Sequence, residues 1–226
     1  MVELVLDDLD WEHAATLGEA LGLIRSGKAA VEATGAGIDE DGVLQIAKLL
    51  ENNETCRKLN LSANNIGEAG GQYLGGMLKK NKVLEYLHLW GAKIGPLGAS
   101  FIGDGLKENS TLKSLAMGNN DIATMGAHTL AKSLRDNSAL TFLDISENEC
   151  GDGGALAFAD TLKDFNRTLE HLDLSDNEIT EFGARCLARA LKENNVITEL
   201  TLAYNKITEK ENMNEHKKIA WIMFGN

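Results

Sequence analysis

One pattern recurs through this chain at a spacing that leaves little freedom in how it can fold. The segments CRKLNLSANNIGEAGG, LEYLHLWGAKIGPLGA, LKSLAMGNNDIATMGA, LTFLDISENECGDGGA, LEHLDLSDNEITEFGA and ITELTLAYNKITEKEN each fit L-x-x-L-x-L-x-x-N-x-I with small substitutions. The Asn position falls at Asn64, Ala92, Asn120, Asn148, Asn177 and Asn205, in even steps of about 28 residues. A degenerate earlier copy, VEATGAGIDEDG, puts Ala36 in the same slot, one such step before Asn64. Self-similarity at a fixed period marks a solenoid, in which each unit buries its apolar face only against its neighbours. About seven units are expected.

The physics of one unit can be read from its residues. The L-x-L core alternates with polar residues, the period-2 signature of a short strand whose leucines point inward. After the Asn come a turn, a small residue and a helical pattern. A glycine sits at a fixed place in that second half: Gly42, Gly70, Gly98, Gly126, Gly154 and Gly183. Apolar pairs then follow at helical spacing, as in Tyr73, Leu74, Met77 and Leu78. Each helix is expected to stop at a recurrent Asn (Asn53, Asn81, Asn109, Asn137, Asn166 and Asn194), on the argument that Asn tolerates the left-handed backbone of a helix C-cap. The motif residues Asn64, Asn120, Asn148, Asn177 and Asn205 read as a structural ladder, inward amides that satisfy backbone groups in a buried turn. Ala92 breaks that ladder at one rung, and Pro96, the chain's one proline, follows in the same turn.

This motif resembles the leucine-rich-repeat family, and its 28-to-29-residue period resembles the ribonuclease-inhibitor-like subclass. The resemblance covers residues 29–210 and implies an α/β fold: a right-handed solenoid of strand–helix units, with a parallel sheet on the concave side and helices on the convex side. A stack of this kind needs capped ends. Residues 1–28 are expected to form an N-terminal helical cap, with Trp11, Ala14, Leu17, Leu21 and Ile24 on one stripe. Residues 211–226, which lack the repeat glycine and carry Trp221 and Phe224, are expected to form a C-terminal cap, or to dock on another subunit. All three parts are read as one domain.

Composition narrows the function. The formal net charge is −12 and the pI is near 4.9, which argues against nucleic acid and anionic membranes as partners, since both need a basic surface. The N-terminus carries carboxylates where a secretory signal has basic and unbroken apolar residues, and no stretch is long and apolar enough to span a bilayer. The three cysteines fit no disulfide framework or zinc spacing, so a reducing, cytoplasmic location is expected. Cys56, Cys150 and Cys186 fall in core slots.

No catalytic constellation is legible. Histidines 13, 88, 128, 171 and 216 show no metal-ligand spacing, and no phosphate loop, nucleophile elbow or dinucleotide fingerprint occurs. No metal, no cofactor and no enzymatic activity are expected. That leaves the outward strand residues, three per unit: Lys58, Asn60 and Ser62; Tyr86, His88 and Trp90; Ser114, Ala116 and Gly118; Phe142, Asp144 and Ser146; His171, Asp173 and Ser175; Glu199, Thr201 and Ala203. Glu147, Asp176 and Tyr204 follow one residue beyond. An aromatic ridge thus stands beside a trough of small residues, the look of an interface anchor. Beside it runs an acidic strip, Asp144 and Asp173 with Glu147 and Asp176, suited to a partner with a basic surface.

The leading expectation is a non-enzymatic scaffold that binds a protein partner through the concave face, at Tyr86, His88, Trp90, Phe142, Asp144, Glu147, His171, Asp173, Asp176 and Tyr204. An alternative is a structural subunit of a cytoskeletal or ciliary assembly, docking by its C-terminal cap, with Gly75, Gly76, Gly103 and Gly105 offering close packing on the helix side. A third is a regulator resembling Ran GTPase-activating proteins. That family's pattern uses an Arg in a loop after a strand, and none of the corresponding loops here contains one; Arg57 precedes a strand.

Overall fold

A computed structural model describes residues 10–207 of the chain. Eight strands lie in one parallel sheet in strict chain order: β1 (Glu12–His13), β2 (Ala30–Glu32), β3 (Lys58–Asn60), β4 (Tyr86–His88), β5 (Ser114–Ala116), β6 (Phe142–Asp144), β7 (His171–Asp173) and β8 (Glu199–Thr201). Seven helices alternate with them: α1 (Leu17–Arg25), α2 (Glu40–Leu50), α3 (Gly67–Lys80), α4 (Gly95–Glu108), α5 (Ala123–Ser133), α6 (Gly151–Asp164) and α7 (Glu181–Glu193). Each strand pairs with the next in the register that the repeat dictates, so Leu59, Leu87, Leu115, Leu143, Leu172 and Leu200 form one continuous inward row. The core is that row with its neighbours and the inner helix faces. Helices need about 8–10 Å each where strands need about 4.8 Å, so the stack curves with the sheet inside.

The motif asparagines work between units. Asn120 shows the full pattern: its Nδ2 donates to the Leu89 and Met117 carbonyls at 2.7 and 2.9 Å, while its Oδ1 accepts from the Ala92 and Ile94 N–H groups of the preceding unit. Asn64, Asn148, Asn177 and Asn205 repeat the cross-unit bond to the strand before them. Where Ala92 replaces the amide, its backbone carbonyl substitutes. Ile66 N–H donates to Ala92 C=O at 3.1 Å, so the main chain restores one acceptor of the rung.

The second asparagine series differs from the expectation. Asn81, Asn109 and Asn194 have extended backbone, not left-handed. Their side chains explain the choice of residue. Asn109 Nδ2 donates to the Leu78 carbonyl at the end of α3, and its Oδ1 accepts from Thr111 and Leu112 N–H at the approach to β5. Asn81, Asn137, Asn166 and Asn194 make the same bonds, each to a carbonyl in the helix end of the unit before. This is a second buried ladder, tying each helix end to the next strand.

The N-terminal cap is also not wholly helical. Trp11 stands beside the short strand β1, and the helix begins at Leu17. The C-terminal cap expected at residues 211–226, with Trp221 and Phe224, lies outside the described residues.

The fixed glycines are steric. A Cβ on Gly70 would lie 2.2 Å from Ile66 Cγ2 and 2.8 Å from Val43 Cγ1 of the preceding helix; Gly98, Gly126, Gly154 and Gly183 are confined in the same way. The additional glycines of α3 and α4 let backbones meet: a Cβ on Gly71 would fall 2.5 Å from Gly98 Cα, and one on Gly75 would fall 2.2 Å from the Phe101 carbonyl oxygen. Gly105 faces Gly75, and Gly103 faces Ser133, so three of the four glycines expected to serve an external partner are spent on internal packing. Gly76 alone of the four has open space.

These geometries set a paired expectation for chemical denaturation. Gly71→Ala should destabilise by at least ~2 kcal/mol, because rigid backbone must move. Gly76→Ala, an unobstructed position inside the same helix, should be neutral or stabilising by up to ~1 kcal/mol. In a third variant, Asn109→Ala should cost ~2–4 kcal/mol, since it strands several buried backbone groups.

Candidate protein-binding face

The outward strand residues form three lanes across the sheet. Lane one runs Lys58, Tyr86, Ser114, Phe142, His171 and Glu199; lane two runs Asn60, His88, Ala116, Asp144, Asp173 and Thr201. Lane three, one step on, carries Ser62, Trp90, Gly118 and Ser146.

The aromatic residues do come together, and they recruit one more. Tyr86 and His88 rings lie 4.0 Å apart between centroids, and Trp11 meets Tyr86 edge-on at 6.1 Å. Trp11 is in line with Ala30, so the two rings close over lane one and Lys58 beneath them is buried. The repeat period could not reveal Trp11. Glu12 pairs with Val31, a much shorter step along the chain than the one from Val31 to Leu59. Burial of the imidazole among these rings lowers the His88 pKa to about 4, so it is neutral at pH 7.

Trp90 lies across Gly118. A Cβ built there would sit 2.7 Å from the indole Cδ1 and 2.8 Å from Ser146 Oγ. Only glycine lets the ring edge and the serine converge. The indole therefore covers the floor of the trough while remaining 43 % exposed. Beneath the walls of the trough, Ser114 is 1 % exposed, and its hydroxyl is the one buried side-chain polar atom among the described residues that has no hydrogen-bond partner.

The acidic strip has a structural component. Asp144 Oδ1 accepts from Ser146 N–H and Asp173 Oδ1 from Ser175 N–H, both at 2.8 Å, as Asn60 does from Ser62. His88 has no such acceptor, and Trp90 N–H turns instead to Ser62 Oγ of the neighbouring strand at 3.2 Å. Burial raises the Asp144 pKa against the opposing bonds from Ser146, with Asp173 and Glu147 adding repulsion. Glu147, Asp176 and Tyr204 occupy the left-handed turn position of their units, with φ of 55°, 49° and 58°. Gly35, Ala63, Gly91 and Asn119 hold the same conformation elsewhere, so the turn is imposed by the fold. There Tyr204 is 88 % exposed. Phe142 and His171 rings are 6.3 Å apart, and His171 Nδ1 meets Glu199 Oε2 at 3.1 Å, as neighbours in lane one.

The other reactive groups are accounted for. Burial pushes the Cys56 and Cys150 thiols up to about 12, where they are protonated and inert. Cys186 packs against the core but is half-buried, lining a surface groove between α6 and α7 with Leu156 and Arg189. Arg57 is bonded to Glu85, with Nη2 at 2.7 Å. Among the described residues no group of acids, histidines or cysteines is placed to hold a metal ion, and no helix is long and apolar enough to cross a membrane.

A family model described as "Leucine Rich repeat" matches residues 52–75, 108–131, 136–159 and 165–188. Four of the units are thus leucine-rich repeats by sequence as well as by fold. The matched segments omit the unit of Tyr86, His88 and Trp90, the one in which Ala92 replaces the motif amide. Among solved structures, the repeat array is similar to "Leiomodin-1 Actin-Binding Site 2", with a TM-score of 0.53 and 24% identity over 68% of this chain and 90% of that one. It is also similar to the tropomodulin C-terminal domain of Caenorhabditis elegans, with a TM-score of 0.52 and 11% identity over 79% of this chain and 92% of that one. At these identities the likeness is one of fold. No curated protein matches the chain in sequence.

Two pH effects are expected. Because the folded pKa of His88 lies below its ordinary value, the unfolded chain binds more protons between about pH 4 and 6.5, and stability should fall as pH drops through that window. Histidine NMR signals followed against pH should show His88 titrating well below the ordinary range. Asp144 has the opposite sign: its folded carboxyl holds a proton more tightly than the unfolded one, so its charge opposes folding at pH 7. Asp144→Asn, which keeps the acceptor for Ser146, should leave stability unchanged or raise it in a thermal melt.

Proposed function

We propose that this chain is a non-enzymatic scaffold that binds a protein partner with a basic surface through the concave face of its sheet, in the cytoplasm. The observation that carries the reading is the juxtaposition of a half-exposed Trp90, standing on a floor of small residues, with the in-register pair Asp144 and Asp173. An exposed aromatic anchor beside a desolvated trough has the anatomy of an interface centre, and side-by-side carboxylates suit an opposing cation. Tyr86, His88, Phe142 and His171 form the rest of the surface, with Glu147, Asp176 and Tyr204 on its rim. The fold supports binding by analogy.

A second reading is a role in a cytoskeletal assembly. It is favoured by the likeness to a leiomodin-1 structure named for actin binding. Docking by the C-terminal cap belongs to this reading, and that segment lies outside the described residues. Against GTPase-activating chemistry stands Arg57, already engaged by Glu85.

Affinity capture with the full chain distinguishes these readings. Trp90→Ala should reduce partner recovery at least ~10-fold, while removal of residues 213–226 should leave it intact. The reverse result would transfer the interface to the tail, and unchanged recovery in both would overturn both surfaces. Co-sedimentation with filamentous actin tests the cytoskeletal reading, and absence of pelleting at micromolar actin would remove direct filament binding. A GTPase turnover assay should show no stimulation.

A further inference from the structure

We propose that the outer faces of the first turns of α4, α5, α6 and α7 form a docking band for an amphipathic partner helix, with apolar residues at heptad spacing and lysine or arginine along one flank. The band lies on the helix side of the solenoid. It is separate from the sheet face, so the inference stands independently of the reading above and adds a second surface.

The residue before the fixed glycine falls in the same slot of each helix. That slot holds Leu97 in α4, Met125 in α5, Gly153 in α6 and Phe182 in α7. The three large side chains are 50–59 % exposed. Phe101 and Leu156, also exposed, lie one turn along from Leu97 and Gly153 and widen the band. Eight large hydrophobic side chains are exposed among the described residues, and five of them gather here on four consecutive helices. A helix face turned to water is ordinarily polar, and a contiguous apolar patch marks an interaction surface.

Charge selects the flank. Four residues before each slot stand Lys93, Asp121, Glu149 and Glu178, all exposed and all with left-handed backbone, so they form a second row parallel to the first. Glu178 is held by Lys206, whereas Asp121 and Glu149 form no ion pair with any described residue. An occupant with cations on this side meets them, and one with carboxylates there is repelled. Lys93 sets the limit, since the cationic flank must stop short of α4.

Spacing selects a helix. Packed helices stand about 8–10 Å apart, and seven residues of α-helix rise about 10.5 Å. A partner helix laid across the row therefore brings one residue per heptad over each of the four helices. At α6 the slot is empty: Gly153 is exposed, and a Cβ there would lie 2.6 Å from the Thr124 methyl of the preceding helix. The row is notched between Met125 and Phe182. The heptad position over α6 thus takes the largest side chain.

The test is a methyl NMR titration of the full chain with a blocked four-heptad peptide. It carries one leucine per heptad, phenylalanine in its place in the third, lysines along one flank, and alanine or glutamine elsewhere. The Met125 methyl signal should shift saturably, and the Gly153 amide should follow. A peptide with glutamate for lysine, and one with the heptad spacing scrambled, should each bind at least ~10-fold more weakly. Met125→Glu should abolish saturation, and Asp121→Asn with Glu149→Gln should weaken binding several-fold. Trp90→Ala, on the sheet face, should leave the titration unchanged. Equal binding of the glutamate peptide, or an unaltered titration in Met125→Glu, would overturn the proposal. So would either rival cover for the band. A wild-type dimer that Met125→Glu converts to monomer in sedimentation assigns the band to a second copy. Peptide binding that emerges only after removal of residues 213–226 assigns it to the chain's own tail.

Discussion

From β2 to β7, each unit of this solenoid depends on a side-chain amide supplied by the next. A short strand followed by a tight turn leaves buried N–H and C=O groups with no partner inside their own unit, and a buried unpaired amide is costly. Asn meets the need because it carries both donor and acceptor on a short stem. One ladder, Asn64 to Asn205, fastens the turn after each strand; the other, Asn81 to Asn194, fastens each helix end to the next strand. The bonds cross from unit to unit, so no unit is complete alone. This is the physical basis of the nearest-neighbour character of repeat proteins.

With the backbone satisfied from inside, the outward strand residues are released from structural duty, and the unit of β4 uses that freedom most. Its leucines remain in the inward row while Tyr86, His88 and Trp90 occupy all three lanes. Its missing amide is replaced in part by the Ala92 main-chain carbonyl, and Ala92 itself stays fully buried. The acidic strip is less free than its exposure suggests, since one oxygen of Asp144 and one of Asp173 are committed to the turn.

The strand register, the inward leucines, the first ladder and the alignment of Asp144 with Asp173 were all legible from the period, because in a parallel in-register stack one repeat along the chain is one step to the adjacent strand. Features that break the period were not. Trp11 joins Tyr86 through a strand that precedes β2 by less than one repeat, so the cap read as a plain helix. The second asparagine series was visible as residues and misjudged in mechanism: a left-handed stop and a cross-unit hydrogen bond both favour Asn, and only the backbone angles and partners separate them. Gly75, Gly103 and Gly105 looked available on the helix side until the neighbouring helices filled the space beside them.

The sequence by itself determined the solenoid, because a constant repeat with strand-like alternation inside it admits one way to bury its leucines and satisfy its backbone. It also determined which residues share a lane. The tertiary structure decided how those residues lean: Trp90 onto Gly118, Tyr86 toward His88 and Trp11, and the Ser114 hydroxyl left without a partner beneath them. Lanes follow from register, which is a property of the chain. Ring orientation and desolvation depend on which neighbours are small, and that is settled only when adjacent strands stand side by side.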